Sequence, residues 1–182
     1  QDQVDQNLIV KISDSDSPLI TGNNLTVTED PRAPTTPSTF TSVAESTLTL
    51  TAAQDKLMKV GLDVSSGSAV LLSDGSAMTH NGQAVQWLDN GNGHYQGVLA
   101  DGSVIFTIEL PSSLDINAGE TANVALTFTL NEAIDHSKSN FDNNATMVLP
   151  VFVTDSDGSQ GLTDVTVQIN DGLNPKISIS DV

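Results

Sequence analysis

Turns of the Asn-Gly and Asp-Gly type recur along the middle of this chain, and they constrain its fold more than any other feature. The central residues of such turns tolerate a positive φ, which the tight turn of a β-hairpin requires. Recurrence at short intervals therefore predicts a meander of antiparallel strands. Between residues 69 and 110 the turns are Asp74-Gly75, Asn81-Gly82, Asp89 to Gly93 and Asp101-Gly102.

Alternation of apolar and polar residues extends the β pattern to much of the remaining chain. Residues 104–108 and 122–130 alternate in this way. So do residues 151–154 and 164–169, which flank an acidic turn of sequence DSDG. Successive side chains of a strand point to opposite faces, so alternation is typical of strands with one buried face. We expect about eight to ten short strands at spacings of roughly 8–12 residues, the pattern of an all-β sandwich.

Two segments depart from this pattern. Residues 52–62, of sequence AAQDKLMKVGL, predict one short helix that ends at Gly61, with a strand as the alternative. Residues 31–39 contain three prolines and few large apolar groups, which indicates an extended loop, because proline denies a sheet its backbone donors.

The charge balance excludes two classes of partner. Twenty-three acidic residues against six basic ones give a formal net charge of −17. Nucleic acids and anionic membranes bind basic surfaces, so we expect neither as a partner. No apolar run approaches the ~20 residues of a membrane span, so we expect no membrane insertion. The chain has no cysteine, and a metal ion would be another way to hold long polar loops together.

Several aspartates fall in turns, where their spacing suits a hard cation. Asp155 and Asp157 share the turn of the last predicted hairpin, and Asp171 follows its second strand. Such turns bring carboxylate and carbonyl oxygens together, which is what calcium requires. The alternative is an ordinary solvated hairpin turn.

A short repeat near the two termini indicates a tandem organisation. Residues 11–16 (KISDSD) and 176–181 (KISISD) match at five of six positions, at an offset of 165 residues. This is what one tandem unit followed by the first residues of its successor shows. We therefore predict an N-terminal linker at residues 1–17, a single sandwich domain at 18–172, and a C-terminal linker with the start of the next repeat at 173–182. No signal peptide is visible, as expected for a segment of a longer protein.

The order of several motifs resembles the Ig-like tandem repeats of giant RTX adhesins, which are bacterial cell-surface proteins exported by type I secretion. The resemblance covers residues 60–182 well and residues 1–60 only through an acidic stub and the run TVTED at 26–30. The motifs that carry it are LLSDG at 71–75, GSVIFT at 102–107, FTL at 128–130, IDH at 134–136 with Asn140, LPVFVTDSDG at 149–158, and VTVQINDG at 165–172 with Asn174-Pro175.

This resemblance implies an Ig-like β-sandwich strung in a rod, with calcium at the domain junctions. The function it implies is a structural extender repeat that supports adhesion and biofilm formation from the extracellular bacterial surface. Its partners would be neighbouring repeats of the same chain, with host or biofilm ligands bound through other domains, and the chain would be a monomer. Ser159 departs from the family, where many repeats carry Asp. The family's calcium ligands correspond to Asp14, Asp16, Asp155, Asp157, Asp171 and Asp181.

Other chemistry is poorly supported, and we expect no enzyme. His80, His94 and His136 are widely separated, without the spacing of a zinc site, and we interpret His136 as a loop histidine bonded to the backbone. No nucleophile or phosphate-loop motif is present. Trp87 and Tyr95 flank an Asp/Asn-rich turn and suggest an alternative function, a calcium-dependent ligand-binding module of lectin-like or homophilic type. We favour the interpretation that both rings pack within the domain.

Overall fold

The computed structural model describes residues 16–29, 42–136 and 144–172. These residues contain twelve β-strands and no helix, and hence no helix that could cross a membrane. The strands are β1 (Leu19–Gly22), β2 (Leu25–Thr28), β3 (Ser42–Thr51), β4 (Leu57–Leu62), β5 (Thr79–His80), β6 (Gln83–Ala84), β7 (Gln86–Asp89), β8 (His94–Val98), β9 (Val104–Glu109), β10 (Thr121–Leu130), β11 (Asn144–Asp155) and β12 (Gln160–Asn170).

Ten of these strands form two sheets. The first has six strands in the order β1-β3-β10-β9-β8-β7, and the second has four in the order β2-β12-β11-β4. All neighbours are antiparallel except β2, which runs parallel to β12. Strands β5 and β6 form a separate ribbon around Asn81 and Gly82, whose φ angles of 50° and 77° suit a tight hairpin turn.

The core lies between the inner faces of the two sheets. Leu126 and Phe128 of β10 and Val165 and Val167 of β12 are fully buried in one cluster. Burying each such side chain contributes roughly 1.5–3 kcal/mol, so the alternating residues supply the main stabilisation of the sandwich. The predicted all-β, Ig-like sandwich is confirmed, and its strands outnumber the expected eight to ten because very short ones such as β5 and β6 add to the count.

The chain changes sheets between β1 and β2. Strand β1 pairs with β3, whereas β2 pairs with β12 in the opposite sheet. Gly22 makes this crossing possible, because a Cβ there would lie 2.7 Å from the Leu48 side chain and 2.8 Å from that of Val165. The buried Ser46 hydroxyl satisfies the crossing backbone, accepting from Asn23 N–H at 3.0 Å and donating to the Asn23 carbonyl at 2.6 Å.

The predicted helix at residues 52–62 is wrong, and the alternative strand is confirmed as β4. The error has a physical cause in a β-bulge. Asp155 pairs with Leu57 and Thr154 pairs with Lys59, so one extra residue is inserted into β4. The bulge turns both Leu57 and Val60 inward, and their spacing of three residues imitates the period of a helix.

The two ends of the sandwich are far apart. The N-terminal pole is the end that holds residue 16 and the turn between β11 and β12, and the C-terminal pole is the end where β2 and β12 finish. Strand β12 has eleven residues, which at about 3.3 Å per residue step span about 33 Å from one pole to the other. Every described strand lies within the predicted domain of 18–172, and the two linker boundaries stay predictions.

Candidate functional site

The turn at the N-terminal pole is organised by two aspartates. Asp155 ends β11 and is only 5% exposed. Its Oδ1 accepts hydrogen bonds from the backbone N–H of Gly158 at 3.0 Å and of Ser159 at 2.8 Å. Asp157 Oδ1 accepts from the same Ser159 N–H at 3.0 Å. Gly158 completes the turn with a φ of 98°, which a residue with a side chain rarely adopts.

The two carboxyl groups of this turn shift each other's pKa in opposite directions. Burial raises the pKa of Asp155, and its hydrogen bond to Asp157 raises it further. The Ser159 N–H lowers the pKa of the exposed Asp157, and the bond from Asp155 lowers it as well. Asp157 therefore ionises before Asp155 as the pH rises. Two carboxylates this close cannot both ionise cheaply unless a cation lies beside them.

Two more aspartates lie at the same pole. The Ser156 hydroxyl donates to Asp55 Oδ1 at 3.3 Å, and Gln54 Nε2 donates to Asp16 Oδ2 at 3.0 Å. The loop between β3 and β4 thus connects the hairpin turn to the incoming chain. Asp55 was not among the predicted ligands, because its segment had been interpreted as a helix.

The predicted ligands fall at opposite poles rather than in one group. Asp171 directly follows β12 and lies at the C-terminal pole, about 33 Å from Asp155 and Asp157. The sequence left open whether the hairpin turn faces the same junction as Asp171, and the strand register decides that it does not. Asp14 and Asp181 lie outside the described residues.

The N-terminal pole fits calcium in the kind of donor it offers. Calcium takes about six to eight oxygen ligands, and Asp155 and Asp157 offer hard carboxylate oxygens that a cation would hold in the ionised state. No group of three or more His, Asp or Glu side chains in metal-binding geometry occurs in the part of the chain that the structure describes. A calcium ion at this pole would therefore need further ligands beyond the described side chains.

The C-terminal pole contains a buried acid–histidine pair. Glu29 follows β2 and is 6% exposed, and its Oε1 accepts from Ile134 N–H at 2.8 Å and from His136 Nε2–H at 2.9 Å. The bond to Glu29 raises the pKa of His136, and the charges of Glu29, Asp171 and Asp135 raise it further against the opposing effect of burial. His136 lies in a loop as predicted, but its partner is a carboxylate, so the expected backbone bond is wrong.

Strand alternation contained a signal for Glu29. Leu25 and Val27 point inward in β2, and Glu29 continues the same face one step beyond the strand. An acid at an inward position needs a buried partner. The identity of that partner, 107 residues away in the chain, depends on the tertiary structure.

Asp135 and His136 are neighbours in sequence but face different groups. Asp135 accepts from the Thr79 hydroxyl at 2.7 Å and from the N–H groups of Asn81 at 3.0 Å and Gly82 at 2.7 Å. The Thr79 hydroxyl contributes most to the lowered pKa of Asp135. This carboxylate fastens the β5–β6 ribbon to the loop, and it does not orient the imidazole of His136 as a catalytic dyad would.

The two aromatic residues considered for sugar binding lie in the core. Trp87 is 6% exposed and packs edge-on against Phe106, with ring centroids 5.3 Å apart. Tyr95 is 3% exposed, and its hydroxyl accepts from Leu62 N–H at 3.1 Å. The interpretation that both rings pack within the domain is confirmed, so neither ring offers a stacking face to a sugar.

Comparison with known proteins adds little to this geometry. No protein-family model matches the sequence, and no curated protein matches it significantly. One similar solved structure is the ASH/PapD-like domain 7 of human CEP192, with 13% identity and a TM-score of 0.42 over 96% of this chain and 100% of that one. Another is the CooA pilin subunit of enterotoxigenic Escherichia coli, with 7% identity and a TM-score of 0.34 over 88% of this chain and 100% of that one. Likenesses this distant carry no argument about function.

Proposed function

We propose that this chain is a structural extender repeat of a large bacterial RTX adhesin, exported by type I secretion to the cell surface. The observation that carries the proposal is the in-line arrangement of the sandwich. The described chain begins at one pole and leaves β12 at the other, about 33 Å away. Modules of this kind join end to end and lengthen a rod with each repeat. Such a rod holds ligand-binding modules away from the cell and supports adhesion and biofilm formation.

Calcium has a defined place in this proposal. Asp155 and Asp157, with Asp16 and Asp14, would hold an ion where the preceding repeat joins. Asp171 and Asp181 would contribute to the junction with the next repeat. A bound calcium ion supplies positive charge that offsets repulsion between these acids, in a chain with a net charge of −17. The aspartates themselves anchor the turn and the incoming chain, so the linker loses its freedom to flex.

The proposal includes few partners. Neighbouring repeats contact the poles, target ligands bind through other domains, and the chain is monomeric and not an enzyme. The alternative, a calcium-dependent lectin-like or homophilic module, has no described feature in its favour, because Trp87 and Tyr95 lie in the core. A glycan array probed in calcium is expected to be blank.

Scattering from a protein with two tandem copies of this chain tests the proposal. With calcium, we expect a longer maximum dimension and a rod-like profile. With chelator, we expect a shorter and more variable particle whose individual sandwiches stay folded. The double variant Asp155→Asn with Asp157→Asn is expected to respond less to calcium. Asp164→Asn, on the exposed face of β12, is the matched control and should behave like the wild type. Identical profiles with calcium and with chelator would contradict calcium-dependent rigidity.

A further inference from the structure

The buried residue Glu29 joins three segments of the chain at the C-terminal pole. Its backbone N–H donates to the Asn170 carbonyl at 2.9 Å, which ties it to the end of β12. Its Oε1 accepts from Ile134 N–H at 2.8 Å and from His136 Nε2 at 2.9 Å, which ties it to the loop of residues 131–136. A buried carboxylate is costly unless it is bonded or paired, so these contacts depend on one another.

The geometry determines which nitrogen of His136 titrates. Nε2 must carry a hydrogen to bond the Glu29 carboxylate, so the proton that is gained or lost sits on Nδ1. Nδ1 is buried and has no hydrogen-bond partner among the described residues. Among the described residues, the charged groups that act on the ring are Glu29 beyond β2, Asp171 beyond β12 and Asp135 of its own loop. All three are acids, and their combined field favours the imidazolium.

The loop that His136 anchors also holds the β5–β6 ribbon. Asp135 binds Thr79 and the turn at Asn81 and Gly82, and His80 Nδ1 lies 2.6 Å from the Ala133 carbonyl. If the loop loosens at His136, the ribbon therefore loosens with it. The acid–histidine pair and the ribbon are thus attached to the same loop.

We propose that the Glu29–His136 pair is a proton-operated latch, which fastens the loop and the ribbon to the C-terminal pole when the imidazole is charged and loosens them when it is neutral. The latch goes beyond the extender function, and its hydrogen-bonding partner Glu29 is not one of the proposed calcium ligands. It makes the pole from which the chain continues more ordered in mildly acidic than in alkaline surroundings.

The direction of the effect follows from proton linkage. The pKa of His136 is raised above its ordinary value of 6.5 in the folded state. The stabilisation from the charged pair is therefore complete below pH 6.5 and is lost as the pH rises through the folded-state pKa. Above that pH the neutral imidazole still donates through Nε2, so the loop loosens without unfolding the sandwich.

A titration of the wild-type chain in chelator tests the latch directly. Chelator removes calcium, so a failure of the latch is distinguishable from a failure of the proposed function. NMR should show the His136 ring titrating above the ordinary value for histidine. Over the same pH range, the protection factor of the Ile134 amide against hydrogen exchange should fall about tenfold, the size expected when a bond to a charged pair weakens.

Two variants separate the latch from a general effect of pH. Glu29→Gln keeps an oxygen acceptor for Ile134 and His136 but removes the charge, so the pKa of His136 should fall and Ile134 protection should no longer depend on pH. His94→Gln is the matched control, because His94 is a partly exposed histidine 3.7 Å from Glu109 in another part of the molecule. It should leave the pH dependence unchanged.

Two results would overturn the latch. One is a wild-type His136 that titrates at or below the ordinary histidine value. The other is Ile134 protection that is equal on both sides of the titration. If Glu29→Gln fails to fold, these two wild-type measurements decide the question without it.

Discussion

Substitutions at Asp155 distinguish two roles of its carboxylate, the hydrogen bonding that holds the turn and the calcium binding proposed for it. The carboxylate accepts two backbone N–H bonds, from Gly158 and Ser159. Asp155→Ala removes both, and at about 1–1.5 kcal/mol for each bond the free energy of unfolding should fall by about 2–3 kcal/mol. Asp155→Asn keeps an oxygen for both bonds and removes the titratable carboxyl group. In chelator it should lie within about 1 kcal/mol of the wild type.

Calcium should then distinguish the wild type from Asp155→Asn. A ligand at about 100 times its dissociation constant stabilises the folded state by about 2.7 kcal/mol. In a domain of this size that corresponds to an increase in melting temperature of about 5–10 °C. We expect calcium to raise the free energy of unfolding of the wild type by this amount and that of Asp155→Asn by less than about 1 kcal/mol. The matched control Asp164→Asn should behave like the wild type.

Urea denaturation with calcium and with chelator measures the free energy of unfolding of the wild type and of each variant. Equal stabilisation of the wild type and of Asp155→Asn by calcium would show that the ion binds elsewhere, and the argument from the hairpin turn would be refuted. An Asp155→Ala variant as stable as the wild type would refute the structural role given to the two N–H bonds.

Two further predictions follow from the same structure. In chelator, the raised pKa of Asp155 means that the stabilisation from its protonated form is lost as the pH rises above the ordinary value of 3.8. Denaturation at about pH 4 and pH 7 should therefore show Asp155→Asn gaining in stability on the wild type at the higher pH, and a constant difference would contradict the raised pKa. Gly97→Ala should lower the free energy of unfolding by about 3 kcal/mol in urea denaturation, because the new Cβ overlaps the ring of Phe106. That ring cannot move away, since Trp87 and Phe128 pack against it on two sides. Phe106→Leu should restore part of the lost stability in the Gly97→Ala background, and strictly additive effects of the two substitutions would exclude the clash.

The sandwich was predictable because its signals are local. Positive-φ turns such as Asn81-Gly82 and the alternation along β10 and β12 are properties of a few consecutive residues, and each was found where it was expected. The error at β4 was also local in origin. A bulge opposite Asp155 changed the inward spacing of Leu57 and Val60, and a bulge is a property of a pair of strands that one strand's sequence does not display.

The candidate site was less predictable because it depends on which ends of the strands meet. The acids were visible in the sequence, and strand register alone separated Asp171 from Asp155 and placed Asp55 beside the hairpin turn. The pairing of Glu29 with His136 joins residues 107 positions apart. No local pattern carries that information, because it arises only when the end of β2 meets the loop that follows β10.

The sequence by itself determined that this chain is an acidic, all-β sandwich with several aspartates in its turns. These properties follow from composition and from the two-residue period of a strand, which act before any tertiary contact forms. The tertiary structure decided that the described candidate ligands divide between two poles about 33 Å apart and that His136 bonds the buried carboxylate of Glu29. The physical reason is that charge interactions depend on distance in space, which only the paired and stacked strands establish.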